Sequence, residues 1–213
     1  MTQPIHVVHV GAFGSAVSQY LERLRRDVIV TTALKNIACS SFRPARMHLL
    51  ASWRPVVTLC RAIEEFCFDR EVPFLPAILE NQHLIVGPLV LPGKGPCWSC
   101  SHARAQQHCS IVRQRAILQA YYEEHFSEGP QGYLKPHAVI AASLLSQAIR
   151  MVDSASIPGG EVWEIDLLSL KMSSSRVVGV DGCPRCGLGR SAKDKTVREM
   201  SNCLAHVWRS DGR

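Results

Sequence analysis

The sequence predicts an α/β protein: a mainly parallel sheet with helices on both faces, followed by C-terminal strands tied by a four-cysteine zinc site. Three observations carry this. Ile5 to Val10 is a β-rich run that passes at once into Gly11-Ala12-Phe13-Gly14-Ser15 and an apolar-periodic segment. Strand-like and helix-like segments then alternate along the first half of the chain. Finally, two Cys-x-x-Cys pairs, Cys97/Cys100 and Cys183/Cys186, stand 82 residues apart.

The elements follow in order. Ile5 to Val10 reads as a strand, and Val17, Tyr20, Leu21 and Leu24 set a helical spacing over 16–26. Strand, glycine turn and helix form the opening unit of a doubly wound, Rossmann-like sheet. Asp27 to Ala33 is a second strand, 36–46 a loop, and Met47 to Ser52 a third strand. Beyond Pro55, the positions Val57, Leu59, Cys60, Ile63, Phe66 and Cys67 mark a helix. Pro73 to Leu79 and His83 to Val90 are strands joined by Glu80-Asn81-Gln82, which suggests a hairpin. Residues 101–126 read as one polar helix, and Gly129 to Gly132 as a loop. His137 to Val152 is a strongly apolar helix; it suits the core better than a dimer interface. Glu161 to Lys171 and Arg176 to Val180 are strands that deliver the chain to Cys183. Val197, Leu204 and Val207 are the only helical hints beyond Arg190.

Composition narrows the function. A chain of 213 residues is one large domain or a domain with an appendage, here read as an α/β domain over 1–189 and a polar tail over 190–213. With 46% hydrophobic and 20% charged residues it is globular rather than disordered. The net charge of +6 is scattered, so no nucleic-acid patch is expected, whereas an acidic peptide or protein partner is compatible. There is no secretory signal and no apolar run of about 20 residues to span a membrane, so a cytoplasmic protein is expected. In that reducing compartment nine cysteines are not a disulfide framework.

Each Cys-x-x-Cys places two thiolates on one tight turn, with both sulfurs able to reach one metal. Cys183-Pro184-Arg185-Cys186-Gly187 has the composition of a metal knuckle, and Cys97-Trp98-Ser99-Cys100 is its partner. Four thiolates leave no open position, so the zinc is expected to be structural, not catalytic. A redox pair, a disulfide between the pairs, or metal-free buried cysteines are the alternatives. Cys39, Cys60, Cys67, Cys109 and Cys203 are read as core or incidental, with Cys60 and Cys67 on one buried helix face.

Gly11 and Gly14 are candidate cofactor-binding residues, because a glycine turn at a helix N-terminus can hold phosphates. The loop is degenerate, however. It lacks the third glycine, the second strand ends without Asp or Glu, and Ser52-Trp53-Arg54-Pro55 brings no carboxylate to the end of the third strand. A plain strand-to-helix turn is the preferred reading. His6 and His9 should face opposite sides of their strand, and His102 or His108 could bond a thiolate or simply face water. Glu64-Glu65 and Glu123-Glu124 look like helix surface, and no catalytic constellation is evident.

The run Val86-Gly87-Pro88-Leu89-Val90-Leu91-Pro92-Gly93-Lys94-Gly95-Pro96-Cys97-Trp98-Ser99-Cys100, the glycine-turn strand, and Cys183-Pro184-Arg185-Cys186-Gly187 behind Glu164-Ile165-Asp166-Leu167 resemble a known family. It is the ubiquitin-activating-enzyme-like (ThiF/MoeB-type) superfamily. The sequence looks closest to the scaffold component of azol(in)e-forming cyclodehydratases, over roughly residues 5–190. The resemblance implies that the four cysteines hold zinc and that ATP chemistry belongs to a YcaO-type partner. It also implies a ribosomal precursor peptide, a dehydrogenase subunit and a second copy of the chain as partners. Family members often begin with a winged-helix leader-binding domain, whereas the first strand here starts at Ile5; the alternatives are that another subunit recognises the leader or that this chain serves mainly as a docking partner. The resulting expectation is a non-catalytic, ATP-independent scaffold subunit. A genuine adenylating enzyme acting on a peptide or sulfur-carrier C-terminus is the alternative, and a zinc-stabilised protein-binding module the second.

Overall fold

The computed structural model describes residues 3–34, 42–130 and 132–186. Strand β1 (Ile5–Val10) is buried at every position, as expected for a β-branched run in mid-sheet. Helix α1 (Gly11–Leu24) begins at Gly11 itself, not after a separate glycine-rich turn. Gly11 adopts φ +69°, and this single left-handed residue turns the strand directly into the helix. Strands β2 (Val28–Thr32) and β3 (Met47–Ser52) flank β1 in parallel, with Ile5 opposite both Val28 and Met47.

Helix α2 (Val57–Asp69) leads to β4 (Phe74–Glu80), parallel to β3. The expected hairpin forms: β5 (His83–Val86) runs antiparallel to β4, and Asn81 takes φ +54° in the turn. The fifth strand stops four residues earlier than expected. Gly87 lies at φ +127°, and any Cβ there would meet the Glu161 carbonyl at 2.6 Å. The chain rejoins β4 at Val90, which bridges Phe74.

The expected polar helix over 101–126 is two helices, α3 (Trp98–Gln107) and α4 (Val112–Glu124). They part at His108-Cys109-Ser110, three weak helix formers in succession. Helix α5 (Lys135–Asp153) lies in the core, burying Ala138, Ala141, Ala142, Leu145 and Ile149. The terminal strands also differ from expectation. β6 (Glu161–Asp166) ends where the Asp166 carboxylate accepts the N–H groups of Leu168 and Ser169, closing a turn. β7 (Met172–Arg176) therefore forms earlier, as the second arm of a hairpin, and 177–180 is not strand.

The sheet order is β2-β1-β3-β4-β5-β6-β7: four parallel strands, then three antiparallel ones. One face packs Phe13, Val17 and Leu21 of α1 with α5. The other packs Leu59, Cys60, Ile63, Phe66 and Cys67 of α2, with Trp98 at the start of α3. Burying each such side chain contributes roughly 1.5–3 kcal/mol, so two closed layers suffice for a stable core. No described helix is long and apolar enough to cross a membrane. The predicted tail over 190–213, Cys39, Cys203 and the helical hints at Val197, Leu204 and Val207 lie outside the described residues.

Candidate metal centre

Two places in this fold are built to meet charge: the N-terminus of α3 and the N-terminus of α1. At α3, Cys97 is the N-cap residue, and its sulfur accepts the Cys100 N–H at 3.4 Å. Cys183 and Cys186 arrive from the stretch after β7, which Arg104 of α3 ties down by donating to the Val178 and Gly179 carbonyls. Sulfurs about 2.3 Å from one ion stand about 3.8 Å apart in a tetrahedron. Here Cys97–Cys183, Cys100–Cys186 and Cys97–Cys186 stand 3.7, 3.3 and 3.9 Å apart, and all four sulfurs lie within 4.8 Å of one another.

The donor chemistry suits a soft divalent cation. Burial pushes the Cys97 thiol well up, and burial together with Cys100 raises Cys186 to about 11. Burial opposes ionisation at Cys183 too, but the N–H groups of Cys186 and Arg185 outweigh it and bring that thiol down to about 6. The Val180 N–H points at the Cys100 sulfur, 3.3 Å away. The Cys183 thiolate forms readily, while Cys97 and Cys186 need a cation to offset the cost of burial.

Beneath the cluster lies a residue that the sequence reading placed on the surface. Glu64 is completely buried, whereas its neighbour Glu65 is exposed. Glu64 accepts the backbone N–H of Trp98, the N–H of Ser99 at 3.3 Å and the Ser99 hydroxyl at 2.6 Å. It also pairs with Arg185 at 2.7 Å. A signal existed: Glu64 sits four residues after Cys60 and three before Cys67, on the face those cysteines already marked as buried. His102 does not join the sulfurs; it stacks on Trp98, centroids 5.1 Å apart, while His108 is the exposed C-cap of α3.

At α1 the arrangement is the reverse. The strand order switches between β1 and β3, and the crevice at their carboxyl ends is where open α/β sheets take ligands. Gly11 and Gly14 are both there, but each glycine answers to a protein neighbour. A Cβ on Gly11 would fall 2.1 Å from the Trp53 indole, and one on Gly14 would fall 2.3 Å from the Ala51 carbonyl oxygen. Gly129 presses on the other part of the same indole. The buried Arg54 holds this lid in place, donating to the carbonyls of Glu128, Phe126 and Tyr122 at 2.9, 2.9 and 3.2 Å. Its guanidinium also lies over the Tyr122 ring, 4.4 Å from the centroid. Sequence reasoning noted that Trp53-Arg54 lacked a carboxylate but missed that the Trp53 indole lies against Gly11 and Gly129.

A third feature adjoins the metal centre: an apolar groove of about 290 Å³ between α3, α4 and the β4–β5 hairpin. Trp98, Ile78, Ile85 and Leu118 line it, with a Glu80–Arg115 ion pair at the rim. Helix α4 has no buried residue, and Ile111, Ile117 and Leu118 are exposed along it.

No protein-family model and no curated relative matches the sequence. Solved structures do match. The heterocyclase TruD superposes with a TM-score of 0.61 at 18% identity, over 87% of this chain and 28% of that one. The E. coli microcin synthetase McbBCD complex gives 0.62 at 13%, over 84% and 67%, and E. coli MccB with ATP gives 0.60 at 15%, over 87% and 67%. The chain has their fold. Identities this low establish the architecture, which is the one the sequence resemblance implied, and this chain spans only about a quarter of the heterocyclases' length.

Proposed function

We propose that this chain is the zinc-bearing, ATP-independent scaffold of a peptide cyclodehydratase, docking a ribosomal precursor peptide and a YcaO-type ATPase. Trp53 carries the reading. It fills the crevice at the strand-order switch, against Gly11 and Gly129, where a nucleotide would otherwise meet the N-terminus of α1. The fold shared with a heterocyclase and a microcin synthetase supports the peptide-modifying context. In this reading Cys97, Cys100, Cys183 and Cys186 hold zinc, which supplies a cross-link and no reactive water. The ion ties the start of α3, and so one wall of the groove, to the chain beyond β7. The domain spans 1–189 and works in the cytoplasm; a dehydrogenase subunit and a second copy complete the complex.

The test is calorimetric titration of the purified chain with ATP and magnesium, beside co-purification with a YcaO-type subunit and zinc analysis of the same sample. The expected result is no heat of ATP binding, one zinc per chain and a stable complex. Micromolar ATP affinity would sink the scaffold reading. A second reading, adenylation of a peptide C-terminus, is favoured by one observation: MccB, with the same fold, was solved with ATP. It requires ATP–pyrophosphate exchange by this chain alone.

A further inference from the structure

Glu64 touches the middle of both cysteine knuckles. From the first, Trp98 and Ser99 donate their backbone N–H groups, and Ser99 adds its hydroxyl. From the second, Arg185 donates at 2.7 Å to Oε2, the oxygen that also accepts the Ser99 hydroxyl. Trp98 and Ser99 are the first residues of α3, whose N–H groups have no partner within their own helix. A carboxylate from another helix satisfies them, where an anion is also favoured by the helix dipole. A charge wholly out of water persists only when paired and hydrogen-bonded, and Glu64 is both.

We infer that Glu64 is a positioning residue for the metal centre, a buried clamp that holds the two knuckles in register before the ion arrives. The inference rests on the metal reading proposed above, yet the clamp is made entirely of this chain's own atoms. The geometry is specific. Knuckle one is gripped between its cysteines at Trp98 and Ser99, and knuckle two between its cysteines at Arg185. The carboxylate therefore bridges chain segments more than eighty residues apart, the same segments that the sulfurs bridge.

Positioning and plain electrostatics make different predictions. Glu64 and Arg185 carry opposite charges beside the same thiolates and the same incoming dication, so by charge alone their removal would shift affinity in opposite directions. If Glu64 acts by alignment, removing it weakens binding, because the knuckles must be gathered at the cost of binding energy.

The experiment is cobalt and zinc binding to the full chain, with the wild type, Glu64→Gln, Arg185→Met and Ser99→Ala compared. Thiolate-to-cobalt charge-transfer bands report the ligands, and chelator competition reports affinity. The wild type should take up one ion with four thiolates. Glu64→Gln and Arg185→Met should each weaken binding about tenfold or more, and Ser99→Ala by less, as expected for outer-shell partners. Equal or tighter binding by Glu64→Gln overturns the clamp and leaves the metal site standing. If that variant does not fold, unchanged affinity in both other variants overturns the clamp instead. If the wild type binds no metal, the metal reading fails and the clamp is judged on the metal-free chain. Mild oxidation should then give disulfides between the knuckles in wild type and within a knuckle in Arg185→Met. The same pattern in both proteins overturns it.

Discussion

Two helix N-termini in this molecule offer the same physics and receive opposite partners. Both α1 and α3 present unpaired N–H groups and the positive end of a helix dipole. At α3 the chain supplies acceptors of its own: the Glu64 carboxylate and the Cys97 sulfur. At α1 no side chain caps the helix, and the space beside Gly11 holds the uncharged Trp53 indole. One helix N-terminus is thus met by a carboxylate and a sulfur, the other by an aromatic ring.

Three experiments press on that contrast. The largest effect is expected for Cys183→Ser, which removes one of four sulfurs from the centre. Metal stoichiometry should fall to near zero and stability by several kcal/mol, since ion binding and folding share one free energy. A folded, metal-free variant that still captures its partners would break the assignment of the cluster as a staple.

Next is acid. His6 and His48 lie side by side on β1 and β3, Nδ1 to Nδ1 at 3.2 Å, within the sheet that the crevice crowns. Burial, with smaller help from Arg43, lowers His6 to about 4; burial, then His6 and Arg70, lowers His48 to about 3. The unfolded chain binds protons at these groups near pH 6.5 and the folded chain does not. Stability is therefore full above pH 6.5 and declines as pH falls toward 4 and then 3. The loss is on the order of 2 kcal/mol per imidazole by pH 5. Denaturant midpoints across pH 7 to 5 should show this slope, and His48→Leu should flatten it. A flat wild-type profile would mean that this amino-terminal end of the sheet is wetter than its packing implies.

The smallest effect is at Gly14. A methyl group there meets the Ala51 carbonyl, so α1 must lift from β3, which costs about 1–3 kcal/mol. Gly14→Ala should lower the melting temperature by several degrees while metal content stays at the wild-type value. Metal loss in that variant would show that the two ends of the fold are coupled.

Much of this architecture was legible in the residues. β1 and β3 matched their expected bounds because each is an apolar run flanked by a sharp change of pattern, glycine after one and proline near the other. The Cys-x-x-Cys pairs announced their convergence because two thiols on one turn, twice over, are the spacing by which four sulfurs meet at one point. Gly11 and Gly14 were less telling, since a nucleotide turn and a tight strand-to-helix junction both need a missing Cβ.

What the sequence determined by itself is therefore the alternation of elements and the identity of the four sulfur donors, both of which depend on local period and spacing. The tertiary structure decided that Glu64 is buried beneath the knuckles while Glu65 faces water, that Trp53 lies against Gly11 and Gly129 while Arg54 ties down the Glu128 carbonyl, and that the terminal strands pair through a turn at Asp166. Those outcomes depend on which distant segments meet. Burial of one carboxylate is stable only when Trp98, Ser99 and Arg185 come to it from elsewhere in the chain, and no local pattern around residue 64 records their arrival.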